Sequence, residues 1–418
     1  MIETSTETEV VILVYVSLSN RTTQMDRDEF YELAVSSGAT PVLEIQAPCK
    51  AFSAYTLVGK GKVDEIAQAV KALGAHLVIF NHPLTPAQTR NLEDEIQCRV
   101  IDRIDLILDI FASRARTFEG KLQVELAQLQ HLSTRLVRGW SHLERQKGGI
   151  GLRGPGETQL EVDRRLIRGR ITSIQKQLEK VRQDRLGRRR TRERANKATV
   201  ALVGYTNSGK SSLFNALCNA DAYVADQLFA TLDPTLRSLM LPEFGHVVLA
   251  DTVGFIRELP HELIDAFRAT LEETRTATLL LHVIDASDPE CQYKMKEVME
   301  VLTHIGAETV PSLFVLNKVD LLDNQPVNIE YDASHRPIKV WVSALTGEGL
   351  PNLLKAMAVL LSEDMVEQEV RLSSIQGKIR NELYKREAVI SEHVELDGGY
   401  TLVVHLPRQV LMKILRGN

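Results

Sequence analysis

The first 112 residues alternate short apolar runs with stretches whose apolar residues recur at helical spacing. The runs predict strands at Val10–Val16, Pro41–Ile45, His76–Phe80 and Arg99–Ile101. The stretches between and after them predict helices near Arg27–Ser36, Lys62–Leu73, Pro86–Glu95 and Leu106–Phe111. Strands separated by helices form βαβ units with a parallel sheet. We therefore predict an N-terminal parallel α/β domain over residues 1–112.

From about residue 113 to residue 196 the apolar positions keep helical spacing without a strand pattern. Two seams follow each other, the first at Leu122, Leu126, Leu129, Leu132 and Leu136, the second at Leu160, Ile167, Ile171, Ile174, Leu178 and Val181. Seams of this kind bury each other in a long antiparallel helical hairpin. Five glycines between Gly148 and Gly156 separate the seams, and we expect them to end both helices.

Strand-length apolar runs return after residue 196, at Thr199–Val203, His246–Ala250, Ser312–Leu316 and Lys339–Val342. Their spacing predicts a central α/β domain with a doubly wound sheet over residues 197–362. Residues 363–418 are predicted to form a small α+β domain, because Val370–Asn418 follows the pattern β-α-β-β-α with a turn at Asp397–Gly399.

The composition is that of a globular protein with several domains. The chain has 418 residues, of which 44% are apolar and 25% charged, and its 24 glycines and 14 prolines are too few for a collagen-like or mainly disordered protein. No apolar run reaches membrane-spanning length and the N-terminus lacks a basic signal region, so we expect a cytoplasmic protein without stable membrane insertion. Cys49, Cys98, Cys218 and Cys291 lie far apart, which argues against disulfide scaffolding or a zinc site; we expect reduced core residues.

The net charge of −5 conceals one strongly basic segment. Residues 113–196, the predicted hairpin, carry 21 Lys and Arg against 9 Asp and Glu. A basic patch attracts the phosphates of nucleic acid, although a merely solvated helical face is the alternative. The glycine-rich loop is flanked by Arg145, Lys147, Arg153, Arg164 and Arg165, which suits close approach to a polyanion, while a flexible turn is the equal alternative at this point. The turn Gly59–Lys62 allows both a phosphate contact and a plain strand-to-helix connection.

The strand Thr199–Val203 leads directly into a sequence that matches G-x-x-x-x-G-K-[ST], and helical residues follow from Ser212. In this context the motif is a phosphate-binding P-loop. The backbone N–H groups that we expect to surround the phosphates belong to Gly204, Tyr205, Thr206, Asn207, Ser208 and Gly209. Lys210 is predicted to neutralise the β- and γ-phosphate oxygens, and Ser211 to coordinate Mg²⁺.

Further signatures follow in order, each after a predicted strand. Asp251, Thr252, Val253 and Gly254 place a carboxylate for the magnesium shell and a glycine N–H for the γ-phosphate. Asn317, Lys318, Val319 and Asp320 are typical of guanine recognition, in which the Asp320 carboxylate accepts from the ring N–H and the exocyclic amine. Ser343, Ala344 and Leu345 offer a backbone N–H to the guanine O6. We therefore predict a GTPase, with Lys210, Ser211, Thr231 and Gly254 as its catalytic residues.

The candidate switch segment is Phe229–Thr235, and the residues in it that we expect to contact the nucleotide are Phe229, Ala230, Thr231, Leu232 and Asp233. Thr231 is our candidate to complete the Mg²⁺ sphere together with Ser211, and Thr235 is the alternative. Nucleotide state would then order or release this loop. Phe255 stands where signalling GTPases have a glutamine that orients water, so we expect the isolated protein to turn over GTP more slowly than about 1 per second.

The residues Gly148–Glu161, Gly204–Asn207, Phe229–Thr235 and Asp251–Phe255 resemble those of the bacterial HflX GTPases of the Obg-HflX group. The resemblance covers essentially the whole chain. It implies an N-terminal α/β domain with a helical linker, a G domain and a small C-terminal domain. It also implies a factor that binds the large ribosomal subunit and its rRNA, rather than DNA, and that splits or rescues stalled ribosomes under stress. On this resemblance the loop near Gly149–Gly156 would approach the peptidyl-transferase region, and GTP would favour the bound state.

Some questions stay open at this point. The family is credited with adenine-nucleotide binding by the N-terminal region, but no second Walker-type loop is present. Asn207 resembles the asparagine of potassium-activated GTPases, which makes K⁺ a candidate cofactor beside Mg²⁺, while a loop-capping role is the alternative. The alternative function is a nucleotide-gated regulator of a protein partner that does not act on the ribosome. A tRNA-modifying GTPase would need a further catalytic cysteine or cofactor site. We expect a monomer.

Overall fold

The structure is a computed structural model, and it describes residues 9–18, 24–49, 51–138, 155–194, 198–218, 228–229, 231, 235–242, 244–257, 268–323, 326–362, 365–386, 388–395, 398–407, 411–412 and 414–415. The chain divides into two compact units. The first comprises Met1–Glu179, Asp226–Phe229 and Pro260–Phe267. The second comprises Lys180–Ala225, Ala230–Leu259 and Arg268–Asn418. The domain boundaries expected from the sequence remain predictions.

The first unit contains a parallel sheet of strand order β2-β1-β3-β4. Its strands are β1 (Val10–Leu18), β2 (Thr40–Cys49), β3 (Leu77–Phe80) and β4 (Arg99–Asp102). Its helices are α1 (Gln24–Ser36), α2 (Lys60–Leu73), α3 (Pro86–Ile96) and α4 (Arg103–Arg114). Every residue of β3 is buried, as expected for a central strand of a parallel sheet. The predicted N-terminal α/β fold is confirmed.

Two long helices continue the chain, α5 (Phe118–Arg138) and α6 (Pro155–Arg194). The predicted apolar seams meet between them, in a cluster formed by Leu122, Leu126, Leu129, Ile171, Ile174 and Leu178. The helix α6 begins at Pro155, two residues inside the expected glycine-rich break. Proline suits the first helical position because it has no N–H that needs a partner and its ring fixes φ near the helical value. The rest of that break, and with it the predicted contact near Gly149–Gly156, lies outside the described residues.

The second unit is built on a sheet of order β10-β11-β9-β8-β5-β7-β6, in which β6 and β10 run antiparallel to their neighbours. Its strands are β5 (Thr199–Gly204), β6 (Thr235–Leu241), β7 (Gly245–Asp251), β8 (Leu279–Asp285), β9 (Ser312–Asn317), β10 (Ile329–Tyr331) and β11 (Pro337–Trp341). The helices are α7 (Lys210–Cys218), α8 (Arg268–Arg275), α9 (Cys291–His304) and α10 (Leu350–Ser362), and Val319–Leu321 forms a single 3₁₀ turn.

A small antiparallel sheet of order β12-β14-β13 follows, with β12 (Met365–Leu372), β13 (Val389–Val394) and β14 (Tyr400–Pro407). A 3₁₀ turn at Ser374–Gln376 precedes α11 (Gly377–Lys385), whose Leu383 packs with Leu402 and Val404 in a core of its own. The sheet and helix agree with the predicted α+β character. Across the described part of the chain, no helix is both long and apolar enough to cross a membrane.

The four cysteines are free thiols, but each is half-buried rather than a full core residue. Cys49 and Cys98 border the core of the first unit and Cys218 that of the second. The expectation of reduced residues therefore agrees with the structure, whereas the expectation of core positions is wrong.

Candidate nucleotide-binding site

The P-loop connects β5 to α7, so its N–H groups lie at the carboxyl edge of the sheet and at a helix N-terminus. Gly204 and Gly209 have φ values of 153° and 89°. A Cβ at Gly204 would collide with the carbonyl oxygen of Val283, and one at Gly209 would collide with the side chain of Asn317. Both positions therefore require glycine for the backbone conformation and for space.

Lys210, the first residue of α7, is buried. Its Nζ donates to the backbone oxygen of Tyr205 at 2.6 Å. Burial lowers the pKa of Lys210 from its usual 10.5 to about 8, and the nearby Asp251 carboxylate opposes the shift. A polyphosphate at this position would supply the negative charge that the buried ammonium group needs.

Three oxygen-bearing side chains from different elements meet beside Lys210. Ser211 Oγ lies 2.8 Å and Thr231 Oγ1 lies 3.0 Å from the same carboxylate oxygen of Asp251, and the two hydroxyls are 2.8 Å apart. The other oxygen of Asp251 is buried without a hydrogen-bond partner among the described residues. Burial also raises the pKa of Asp251. An orphaned carboxylate oxygen and two hydroxyls form the hard oxygen set that suits Mg²⁺. Thr235, the alternative to Thr231, is the first residue of β6.

Gly254 brings the chain after β7 close to the P-loop. A Cβ at Gly254 would lie 2.9 Å from Thr206 Cγ2 and 3.0 Å from Lys210 Nζ, so a larger residue would displace the lysine. The hydroxyl of Thr252 donates to the backbone oxygen of Leu202 at 2.5 Å and fixes the chain to β5. The Phe255 ring is only 2% exposed. A buried phenyl ring has no group with which to orient a water molecule.

The residues predicted to recognise guanine converge at the ends of the neighbouring strands β9 and β11. Asn317 Nδ2 donates to the backbone oxygen of Ser208 at 2.9 Å, and its Oδ1 accepts from the N–H of Ala344 at 3.0 Å. The hydroxyl of Ser343 donates to Asp320 at 2.5 Å. One amide side chain thus connects the P-loop to the loop after β11, and Asp320 is oriented from the same loop. Lys318 pairs with Asp285 at 2.7 Å, while Leu345 is 85% exposed.

Of the candidate switch residues, Thr231 and Phe229 are described, whereas Ala230, Leu232 and Asp233 lie outside the described residues. Phe229 is 2% exposed, and its ring packs edge-on against Phe111 of α4 at 4.6 Å within the first unit. The N–H of Leu228 donates to Ser36 Oγ at 3.1 Å in the same unit. The Phe229 ring therefore serves core packing, a role that the motif spacing does not indicate.

A cluster that the sequence did not signal lies in the first unit, where oxygen and nitrogen atoms of Asp102, Asp105 and His131 come within 4.8 Å of one another. Arg135 lies between the two carboxylates, at 2.7 Å from Asp105 and 3.3 Å from Asp102. The guanidinium supplies the positive charge that a metal would otherwise bring, so the cluster is an ion-pair network that fastens α5 to the start of α4.

Family models match the chain in four consecutive segments. Residues 24–112 match the N-terminal part and residues 114–192 the middle region of GTP-binding GTPases. Residues 199–318 match a model described as 50S ribosome-binding GTPase, and residues 328–415 match the HflX C-terminal domain.

Two relatives extend along nearly the whole chain. GTPase HflX of Escherichia coli K12 is 53% identical over 96% of this chain and 94% of its own length, and GTPase HflX of Magnetococcus marinus is 46% identical over 93% and 89%. A solved structure of a GTP-binding protein from Sulfolobus solfataricus with GDP is 24% identical, with a TM-score of 0.45, and covers 84% of this chain and 99% of that one. On the four matching segments and the two long relatives, this chain belongs to the HflX family of GTPases.

Proposed function

We propose that this GTP-hydrolysing protein binds the large ribosomal subunit in the cytoplasm and dissociates or rescues stalled ribosomes, and that hydrolysis controls its release. The observation that carries the proposal is the contact of Thr231, in the candidate switch segment, with both Ser211 and Asp251. Thr231 can take part in the magnesium site only while its segment is ordered. The order of the segment therefore depends on the nucleotide and the Mg²⁺ bound with it.

The chemistry is divided among the site residues. Lys210 neutralises phosphate oxygens, the Gly254 N–H contacts the γ-phosphate, and Asp320 accepts from the guanine ring. Ser211 and Thr231 would hold Mg²⁺ beside Asp251, and bound Mg²⁺ would neutralise charge that develops on the β- and γ-phosphates. The buried Phe255 offers no group that orients the attacking water, so we expect the isolated protein to be slow and a binding partner to complete the site.

The basic hairpin supports a ribosomal partner. On the described part of α6, Arg165, Arg168 and Lys176 are exposed, while Ile174 faces α5. Exposed cations along a helix attract an RNA backbone, and such binding weakens steeply as salt rises. The family model that matches residues 199–318 carries ribosome binding in its description, which points to the same partner.

Two measurements test the proposal. The GTPase rate should rise when purified large subunits are added, and co-sedimentation with them should be stronger with a nonhydrolysable GTP analogue than with GDP. Replacing Arg153 and the neighbouring glycines should spare hydrolysis by the isolated protein and remove the stimulation. Equal occupancy with the analogue, with GDP and with an empty site would refute a nucleotide-controlled ribosome factor.

The second candidate function is a nucleotide-gated regulator of a protein partner. Under this candidate the exposed cations of α6, among them Arg165, Arg168 and Lys176, form only a solvated helical face. Binding to large subunits that depends on GTP but ignores ionic strength would favour this candidate, because phosphate contacts are salt-dependent.

Asn207 carries a narrower proposal about cofactors. It adopts a left-handed conformation with φ of 58° inside the P-loop. We infer that its side chain supports a K⁺ ion beside the phosphates, where the cation would stabilise developing charge. Turnover in KCl should exceed turnover in NaCl at equal ionic strength; equal rates would leave Asn207 with a loop-capping role alone.

A further inference from the structure

The chain directly after Gly254 is hydrogen-bonded to the P-loop. The N–H of Phe255 donates to the backbone oxygen of Gly204 at 3.1 Å, and the N–H of Thr206 donates to the backbone oxygen of Phe255 at 2.7 Å. These bonds form a parallel bridge between Tyr205 and Phe255. Two residues further on, the N–H of Arg257 donates to the hydroxyl of Tyr205 at 2.7 Å.

Tyr205 is itself held in place. Its side chain is buried, and Lys294 Nζ lies 5.0 Å from its ring centroid. Lys294 is fixed in turn by Asp288, at 2.5 Å. The backbone oxygen of Tyr205 also accepts from Lys210. Because its ring and its backbone oxygen are both held, Tyr205 presents its hydroxyl at a defined point, as a positioning contact requires.

We propose that Tyr205 is a positioning residue for recognition of the γ-phosphate. Its hydroxyl holds Arg257, and through it the chain from Gly254 onward, against the P-loop, so that the Gly254 N–H is in place before GTP arrives. The inference rests on the role proposed above for Gly254. Because GDP has no γ-phosphate, this contact favours GTP over GDP without adding affinity for the diphosphate.

The expected loss of GTP affinity follows from the hydrogen bond to the Arg257 N–H that a Tyr205→Phe variant lacks. Tyr205→Phe keeps the buried ring near Lys294 and removes the hydroxyl that accepts from the Arg257 N–H. A net hydrogen bond of typical strength corresponds to a change of roughly fivefold in an equilibrium constant. The whole of this change is expected in GTP binding. The loosened segment from Gly254 onward contacts no part of the nucleotide other than the γ-phosphate.

The experiment compares equilibrium affinities of the full-length protein for a nonhydrolysable GTP analogue and for GDP. Tyr205→Phe should lower the ratio of analogue affinity to GDP affinity roughly fivefold. A variant whose fold is damaged would lose affinity for both nucleotides, so the ratio of the two affinities separates positioning from mere structural support. An unchanged ratio would overturn the proposal.

Tyr293→Phe is the matched control. The Tyr293 ring lies 4.4 Å from the Arg257 guanidinium, and its hydroxyl contacts Arg257 Nε at 3.3 Å and Glu297 at 2.5 Å. This variant removes a hydroxyl from the same network and leaves the backbone bond to Tyr205 intact, so the affinity ratio should stay unchanged. An equal loss in Tyr293→Phe would show that the side-chain stack holds the segment, and it would refute the role of the Tyr205 hydroxyl.

Gly254→Ala separates failure of this inference from failure of the proposed site. Gly254→Ala should lower affinity for both nucleotides, because its Cβ displaces Lys210. If it lowers analogue affinity further than GDP affinity and Tyr205→Phe does not, the Gly254 role stands and the positioning role is wrong. If neither variant changes the ratio, Gly254 does not contact the γ-phosphate and both assignments fail.

Discussion

The pKa of Lys210 predicts how nucleotide affinity depends on pH. Burial lowers this pKa to about 8, so the free protein loses the Lys210 proton well before an exposed lysine would. The phosphates of a bound nucleotide stabilise the charged form and raise the pKa again. Above pH 8, binding must therefore take up a proton, and affinity falls as pH rises.

The magnitude follows from the two pKa values. With the usual pKa of 10.5 restored by bound phosphates, affinity falls roughly 300-fold between its limits well below pH 8 and well above pH 10.5, which corresponds to about 3 kcal/mol. Between pH 7 and pH 8.5 the loss is about fourfold, because Lys210 is still mostly protonated at pH 7. The terminal phosphate is already ionised in this range, since the second pKa of a phosphate group is about 6.

Titration of a fluorescent GDP analogue at constant ionic strength measures this dependence. Calorimetry in two buffers with different ionisation enthalpies should show uptake of about half a proton per nucleotide at pH 8. Guanosine, which lacks phosphates, is the matched ligand control, and its affinity should stay constant over the same range. A GDP affinity that is equal at pH 7 and pH 8.5, without proton uptake, would refute the assigned role of Lys210.

Three further results are expected. Lys210→Ala should abolish nucleotide binding or hydrolysis, measured by equilibrium dialysis and phosphate release, because it removes the cation at the phosphates. Asp320→Asn should shift preference from GDP toward XDP, measured by competition; retained guanine preference would contradict the base-reading role. Burial, reinforced by Lys210, lowers the pKa of His282 to about 4, so the unfolded state binds more protons between pH 4 and pH 6.5. The free energy of unfolding should therefore fall by up to roughly 3 kcal/mol as pH falls through that window, and urea melts of His282→Leu should lose this part of the pH dependence.

The sequence indicates that the candidate site residues lie together because its motifs follow parallel strands of one sheet. β5, β7, β9 and β11 are neighbours or near neighbours with the same direction, so the residues after them meet at one edge.

Strand ends are less predictable. β2 extends over Thr40–Cys49, beyond the expected Pro41–Ile45, because pairing along the whole of β1 sets its length. In the extension beyond Ile45, exposed Gln46 and Pro48 flank the buried Ala47, so no apolar run marks the end of the strand.

Contacts between distant side chains are the part that spacing cannot predict. The Arg257 N–H meets a tyrosine 52 positions earlier, and Phe229 meets a phenylalanine of α4. Both contacts depend on how loops pack rather than on local periodicity. The motif containing Tyr205 is recognisable from sequence. The hydrogen bond between its hydroxyl and the Arg257 N–H is visible only in the structure, which shows where the chain after Gly254 lies.

The two elements that we propose to face the γ-phosphate are held differently, and we expect this difference to decide which of them responds to nucleotide. The chain from Gly254 to Arg257 has three hydrogen bonds from backbone N–H groups that connect it to the P-loop. Thr231 contacts the site through one hydroxyl, shared between Ser211 and Asp251. Since each net hydrogen bond contributes on the order of 1 kcal/mol, the Thr231 contact is the easier one to break. Loss of the γ-phosphate should therefore release Thr231 first, while Gly254 stays in place for the next GTP.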